Sequence, residues 1–360
     1  MAPPPLPPLI TLEEHFISEA MLSSHGDKYS EQLKHIPGLT EKLADLDTLR
    51  LQHMDAGRVS LQIVSHAPGT ISATQCRSAN DQLARAIQHH HHHQQQQQQQ
   101  DTDTNPNQRH PRFAGFAVLP VSDSGAACAT ELRRCIQSLN FVGALIDNHT
   151  STGAYFDSAE YETTLFQTAQ DLNVPIYLHP TWPTDAMRAA QYYTDPNPNT
   201  PSTISSGAMQ SIATSGFGWH ADVATHILRL FASGLFDRLT RLKIIIGHMG
   251  ETLPFMLDRI VALSRRWGDR ERDFKSVWDT NIYITTSGVW SVDPMACILR
   301  NTKIDHILYS VDYPFATNED GLQFMLEVQK SGLVTEEQLE GIAYRNAEKL
   351  LGVKVGKRWD

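Results

Sequence analysis

Glu13 and His15 stand two residues apart where the apolar run Pro8-Leu9-Ile10-Thr11 gives way to Leu12-Glu13-Glu14-His15-Phe16. Residues i and i+2 of a strand share a face, so the two side chains converge at a strand end while Glu14 faces away. A carboxylate oxygen beside an imidazole nitrogen suits a borderline divalent ion such as Zn²⁺ or Mn²⁺. Alone, the pair reads as a polar strand end with a solvated Glu and a stacked His. His179, after the apolar run 174–178, and Asp312, after 307–311, change that reading. With Glu13 and His15 they make a mixed oxygen and nitrogen set, suited to one five- or six-coordinate divalent ion with positions open to water or substrate. His248 and Glu251 follow the run 242–246. There the carboxylate would fix the imidazole tautomer and raise its basicity. Arg259 reads either as a partner for a nearby carboxylate or as a solvated helix residue. His66 and His149 read singly as hydrogen-bonded loop residues. His220 and His226 flank or lie on a helix, and His226 reads as structural.

Something must carry these side chains to one place. Apolar runs at 59–64, 113–121, 141–146, 174–178, 242–246, 282–285 and 307–311 follow the first strand, and helix-like segments such as 124–139, 159–172, 221–232 and 253–267 separate them. Nearly continuous apolar stretches such as Lys243-Ile244-Ile245-Ile246 belong to parallel strands covered on both faces. Eight strand-helix units predict an α/β fold, a distorted (β/α)₈ TIM barrel, with an open doubly wound sheet as the alternative. Each candidate residue follows the apolar part of its strand, and that end of such a barrel carries the active site.

The rest of the composition narrows the function. A formal net charge of −10 argues against general affinity for nucleic acid or an anionic membrane, which need surplus Lys and Arg. The four cysteines make no disulfide framework: Cys128 and Cys135, on one expected helix, would lie about 10 Å apart along its axis, too far to bridge. With no long apolar stretch and no leader, a soluble cytoplasmic protein is expected. Residues 1–9 read as a flexible Pro-rich tail, 10–352 as one catalytic barrel domain and 353–360 as a C-terminal tail. The run of five histidines and seven glutamines at 89–100, with the polar residues up to 107, reads as a disordered surface insertion, having nothing apolar to bury.

Leu12-Glu13-Glu14-His15-Phe16, Val174-Pro175-Ile176-Tyr177-Leu178-His179-Pro180, Gly247-His248-Met249-Gly250-Glu251, Thr285-Thr286-Ser287-Gly288 and Ser310-Val311-Asp312-Tyr313-Pro314-Phe315, in that order, resemble the metal-dependent decarboxylase branch of the amidohydrolase superfamily. The resemblance runs from about residue 10 to 351. It implies Glu13, His15, His179 and Asp312 as ligands of one divalent ion per chain, Zn or Mn, with His248 and Glu251 as the catalytic pair and Arg259 in support. The opening Glu-x-His, and a fourth strand ending without lysine, lean toward the γ-resorcylate type rather than the hydrolases that begin His-x-His. The implied substrate is a small aromatic carboxylate: an ortho-hydroxybenzoate of the 2,6-dihydroxybenzoate, 2,3-dihydroxybenzoate, salicylate or 6-methylsalicylate type, losing CO₂. Asp312 is the expected proton donor to the carboxylate-bearing carbon, and Trp182, Phe217, Tyr313 and Phe315 are candidates to face the ring. A homodimer or homotetramer is implied as well. Two rivals stand beside this reading: a hydrolase or lactonase of a cyclic or enol carboxylate on the same scaffold, and a non-catalytic metal- or partner-binding protein built on the His/Gln tract.

Overall fold

The computed structural model of the chain describes residues 6–24, 26, 36–69, 71–100, 110–192 and 204–356. The expected tail up to residue 5, residues 101–107 of the expected insertion and the last four residues lie outside the described residues. Eight parallel strands form one sheet in chain order: β1 (Leu9–Phe16), β2 (Val59–His66), β3 (Phe113–Ala117), β4 (Gly143–Asp147), β5 (Ile176–His179), β6 (Ile244–Ile246), β7 (Ile282–Thr285) and β8 (Ile307–Leu308). Helices lie between successive strands, as a parallel crossover requires, and the architecture is the expected TIM barrel. Its interior is filled by side chains such as Ile10, Leu61, Phe116, Leu145, Ile245 and Leu308, and the larger outer core packs the strands against the helices.

The barrel is distorted at its seam. No ladder joins β8 to β1 among the described residues; His15 N–H donates to the Tyr313 carbonyl (2.6 Å), and Leu12 and Glu13 both donate their amides to Ser310 Oγ (3.1 and 2.7 Å). β1 carries one extra residue against β2 between Thr11 and Glu14. This bulge lets Leu12 stay in the interior cluster while Glu13, next to it, also turns inward. β8 is shorter than the run 307–311 suggests because its backbone leaves the sheet: Tyr309 N–H bonds the Ile342 carbonyl and Ser310 N–H the Thr286 hydroxyl.

Three expectations about the ends and the insertion are corrected. Leu6 packs in the outer core and β1 begins at Leu9, so residues 6–9 are no loose tail. Val353 and Val355 close the base of the barrel interior, and Val355 N–H binds Glu348 Oε1 at 2.8 Å. The His/Gln tract from residue 89 continues the helix Ala73–Gln100. A helix already nucleated extends at little cost through residues of middling propensity. His90 anchors it, buried against the Phe113 ring with Nε2 2.8 Å from the Leu46 carbonyl. The long polar stretch 184–215 contains helices Asp185–Gln191 and Ser206–Ala213. Cys128 and Cys135 are free and buried on the helix Gly125–Leu139. Among the described residues, no helix is long and apolar enough to cross a membrane.

Candidate functional site

Glu13, His15, His179 and Asp312 meet at the C-terminal mouth of the barrel, with one ligand atom from each lying within 4.8 Å of all the others. His179 Nε2 is 3.0 Å from Glu13 Oε1, and His15 Nε2 is 3.2 Å from Asp312 Oδ1. Each piece has a local reason to be there. Glu13 and His15 come from the bulged β1. His179 ends β5, and its Nδ1 lies 2.6 Å from the Pro180 carbonyl, to which it donates, leaving the Nε2 lone pair facing the cluster. Asp312 sits at φ +74° on the turn after β8, a conformation that Asp tolerates better than most residues.

Hydroxyls and amides brace this cluster from behind. Tyr177 and Ser287 both donate to Glu13 Oε2, with Thr285 Oγ1 2.8 Å from the Tyr177 phenol and 2.9 Å from Ser287 Oγ. Glu13 Oε1 is therefore the oxygen left toward His179. Glu14, on the opposite side of β1, accepts from the amides of Val311 and Tyr313 at 3.1 Å each and from Ser310 Oγ, gripping both neighbours of Asp312. Arg50 donates to the His15 carbonyl at 2.5 Å.

The electrostatics follow from burial and neighbours. Burial alone would raise the Glu13 carboxyl, but the His248, His179 and His15 rings prevail and hold it far below the usual range. Burial lowers His15 to about 3; at His179 it acts the same way, but Glu13 outweighs it and the shift is upward. Burial and the Glu13 charge push Asp312 up to about 8. Burial likewise takes Glu14 up to about 8, outweighing the hydrogen bonds it accepts from Val311, Tyr313 and Ser310.

The buried atoms Glu13 Oε1, His15 Nε2 and Asp312 Oδ1 have no hydrogen-bond partner. Three orphaned polar atoms converging on one point in a buried pocket are costly unless something polar satisfies them. Ligand atoms around a zinc-sized ion at about 2.0–2.2 Å lie at most about 4.4 Å apart, within a few tenths of an ångström of the spread here. The mixed carboxylate and imidazole donors suit zinc and manganese, so these residues fit a divalent ion.

Beside the cluster, His248 Nδ1 lies 2.8 Å from Glu251 Oε1, and His248 Nε2 lies 3.8 Å from Glu13 Oε1 and 3.9 Å from Asp312 Oδ2. Burial opposes charge on the pair, yet the attraction wins: Glu251 and Glu13 carry His248 up to about 10, while His248 and His220 hold Glu251 down to about 2. A divalent ion on Glu13 and Asp312 would cancel their share of the upward pull and favour a neutral His248 ring with its single proton on Nδ1, against Glu251. A cavity of about 1020 Å³ opens onto His179, His248 and Asp312, with Trp182, Phe315 and Trp290 in its wall.

Trp182 and Phe315 are thus brought to the cavity as expected, while Phe217 is exposed and Tyr313 is buried with its phenol 2.7 Å from His53 Nδ1. Arg259 is not brought to the site. It lies on the exposed side of the helix Leu253–Ser264, whose inward face is Leu253, Leu257 and Ile260. His66 and His149 donate Nδ1–H to the carbonyls that follow them, outside the four-residue set. His226 is buried between the Phe156 amide (3.1 Å) and Asn148 Oδ1 (3.0 Å). Tyr177, Ser287, Ser310, Glu14 as a brace and His220 are the residues that sequence reasoning missed. Most lie within the conspicuous motif stretches, but a hydroxyl in a strand carries no mark of what it will face.

Residues 15–353 match the amidohydrolase family. Decarboxylase orsB of Emericella nidulans is 49% identical over 356 residues, covering 98% of this chain and 99% of that protein. A γ-resorcylate decarboxylase of Polaromonas sp. is 31% identical over 95% of this chain and 97% of its own length. The crystal structure of a dihydroxybenzoic acid decarboxylase from Polaromonas sp., with bound manganese and the inhibitor 2-nitroresorcinol, superposes with a TM-score of 0.76 at 28% identity, covering 96% of this chain and 97% of that one. The chain belongs to the amidohydrolase family, in the decarboxylase branch close to the γ-resorcylate decarboxylases and decarboxylase orsB.

Proposed function

We propose that the protein catalyses the metal-dependent, non-oxidative decarboxylation of an ortho-hydroxybenzoate, of the 2,6-dihydroxybenzoate, 2,3-dihydroxybenzoate, salicylate or 6-methylsalicylate type, to the phenol and CO₂. The observation that carries this reading is the convergence of four ligand-type side chains, three with orphaned buried atoms, at the floor of an aromatic-walled cavity beside a His-Glu pair. Glu13, His15, His179 and Asp312 would hold the ion, zinc or manganese. A bound ion would supply a positive centre for the substrate's anionic group, offsetting charge that an acidic protein would repel.

The chain's own residues do the rest. Direct loss of CO₂ would leave an aryl carbanion, so the ring carbon must be protonated first. Asp312 Oδ2, on the cavity side, delivers that proton. His248 Nε2, 3.9 Å from it, takes or stabilises the phenolic proton, and Glu251 holds the opposite ring nitrogen. Protonation interrupts aromaticity, and the electrons of the breaking C–C bond then restore it as CO₂ leaves. Trp182 and Phe315 wall the cavity against water. Arg259, exposed, has no part in this scheme. A homodimer or homotetramer is the assembly we expect, which light scattering would read directly.

The test is metal analysis of the purified protein together with a panel of ortho-hydroxybenzoates monitored for CO₂, with His179→Ala as control. One ion per chain, CO₂ from at least one acid, and loss of both in the variant are expected. Bound metal with no CO₂ from any acid, and acid released from a lactone instead, would move the assignment to the hydrolase reading.

A further inference from the structure

Glu251 serves two imidazoles, and only one of them has been given a role. Its Oε1 faces His248 Nδ1, and its Oε2 lies 2.6 Å from Nδ1 of His220, near the start of the helix Gly218–Ala232. The second ring nitrogen of His220 lies 3.1 Å from the carbonyl oxygen of Ser215, a residue of the cavity wall. Both His220 nitrogens therefore face acceptors. The ring also meets that of His248 edge-on, with centroids 4.7 Å apart, and lines the cavity itself.

The backbone under this carboxylate is strained. His248, Met249, Glu251 and Thr252 all have φ between +50° and +66°, with Gly250 at +86° among them. L-residues adopt that region only at an energetic cost, and such runs persist only where their surroundings over-determine them. Two hydrogen bonds to the Glu251 carboxylate, one of them from another element, are such a constraint. Without His220, the fully buried Glu251 Oε2 would lack a partner and the carboxylate could turn away from His248.

We propose that His220 is a positioning residue for the reaction: it holds Glu251 between two imidazoles, so that His248 keeps its proton on Nδ1 and aims Nε2 at the cavity. This inference rests on the decarboxylase reading for its kinetic readout but not for its spectroscopic one. In the full-length, metal-loaded protein labelled with ¹⁵N-histidine, His248 should show a single state with Nδ1 protonated. His220→Leu should lower kcat roughly 10- to 100-fold, the usual effect of removing an outer-shell partner. KM and metal content should change little, and His248 should become a mixture of tautomers. His220→Asn, whose amide nitrogen falls near the position of Nδ1, should restore most of kcat and the single tautomer. If His220→Leu does not fold, His220→Gln, with its amide near the Nε2 position, takes its place as the deficient variant. Unchanged kcat and tautomer in the deficient variant would overturn the proposal, as would a fall in kcat with His248 unaltered and no recovery in His220→Asn. If the wild type releases CO₂ from no hydroxybenzoate while the His248 tautomer still follows residue 220, the decarboxylase reading fails and the positioning role stands.

Discussion

Gly247→Ala tests whether Glu13 is aimed from behind. Gly247 has ordinary extended backbone (φ −82°, ψ −167°), so alanine brings no conformational penalty of its own. Its Cβ, however, would stand 2.7 Å from Glu13 Oε2, 3.0 Å from the Tyr177 phenol and 3.1 Å from Ser287 Oγ. The first contact is about 0.7 Å inside the 3.4 Å at which ordinary contact begins. Oε2 cannot swing clear alone, because it is hydrogen-bonded by both of those hydroxyls, and Tyr177 and Ser287 are fully buried. The carboxylate must therefore move as a unit and carry Oε1 with it. A metal site tolerates only about 0.2 Å in ligand distance, so the expected loss is about 10- to 100-fold in affinity for Zn²⁺ or Mn²⁺, or about 1.4–2.7 kcal/mol. Competition against a chromogenic chelator measures this. Gly207→Ala, where an added Cβ meets nothing within 4 Å, is the control. Wild-type affinity in Gly247→Ala, with circular dichroism unchanged, would refute the claim that Glu13 Oε1 is a ligand set by its second oxygen.

Three further outcomes are expected. Burial lowers the His226 ring to about 3, and it is neutral in the fold. Its contribution to stability is therefore full above the ordinary histidine value of 6.5 and is lost as pH falls from there toward 3. At pH 5 that loss is about 2 kcal/mol, and urea unfolding of His226→Asn should show an acid slope flatter than the wild type's by that amount between pH 7 and pH 5. Glu14→Gln places an NH₂ group against one of two amide donors, Val311 or Tyr313 N–H, whichever way it turns. It should cost about 1–3 kcal/mol in urea unfolding and weaken metal binding through Asp312. Arg259→Ala should leave metal content unchanged and stability within about 0.5 kcal/mol; loss of metal in that variant would mean that the arginine reaches the site after all.

The ligand set was legible because it needs only residue type and the end of an apolar run. Glu13, His15, His179 and Asp312 are chemically conspicuous, and a parallel barrel collects the ends of its strands at one mouth. What supports them was not legible. Tyr177 in an apolar strand reads as core, and it is core, yet its hydroxyl decides which Glu13 oxygen is left for metal. Arg259 shows the opposite failure: the family resemblance set it in support of the site, but a helix face is set by spacing, and the apolar positions 253, 257 and 260 turn it outward. The His/Gln tract misled for a third reason. Its composition offers no core, but the helix that precedes it and the Leu46 carbonyl beside His90 are tertiary facts.

β1 joins these lessons into one physical statement. Ile10 and Leu12 both belong to the barrel interior, so strict alternation along the strand would carry Glu14 inward and leave Glu13 and His15 outside. The extra residue between Thr11 and Glu14 shifts the phase by one. Two successive amides, Leu12 and Glu13, then point to one acceptor, and Ser310 Oγ takes both. The inward carboxylate meets three imidazoles and is held ionised, while burial pushes its outward neighbour up to about 8 despite the backbone amides and hydroxyl it meets. Two adjacent glutamates thus become a ligand and a brace without any difference in residue type. The brace grips Val311 and Tyr313 on either side of Asp312, so the phase shift that turns Glu13 inward also ties down the ligand on the far side of the seam.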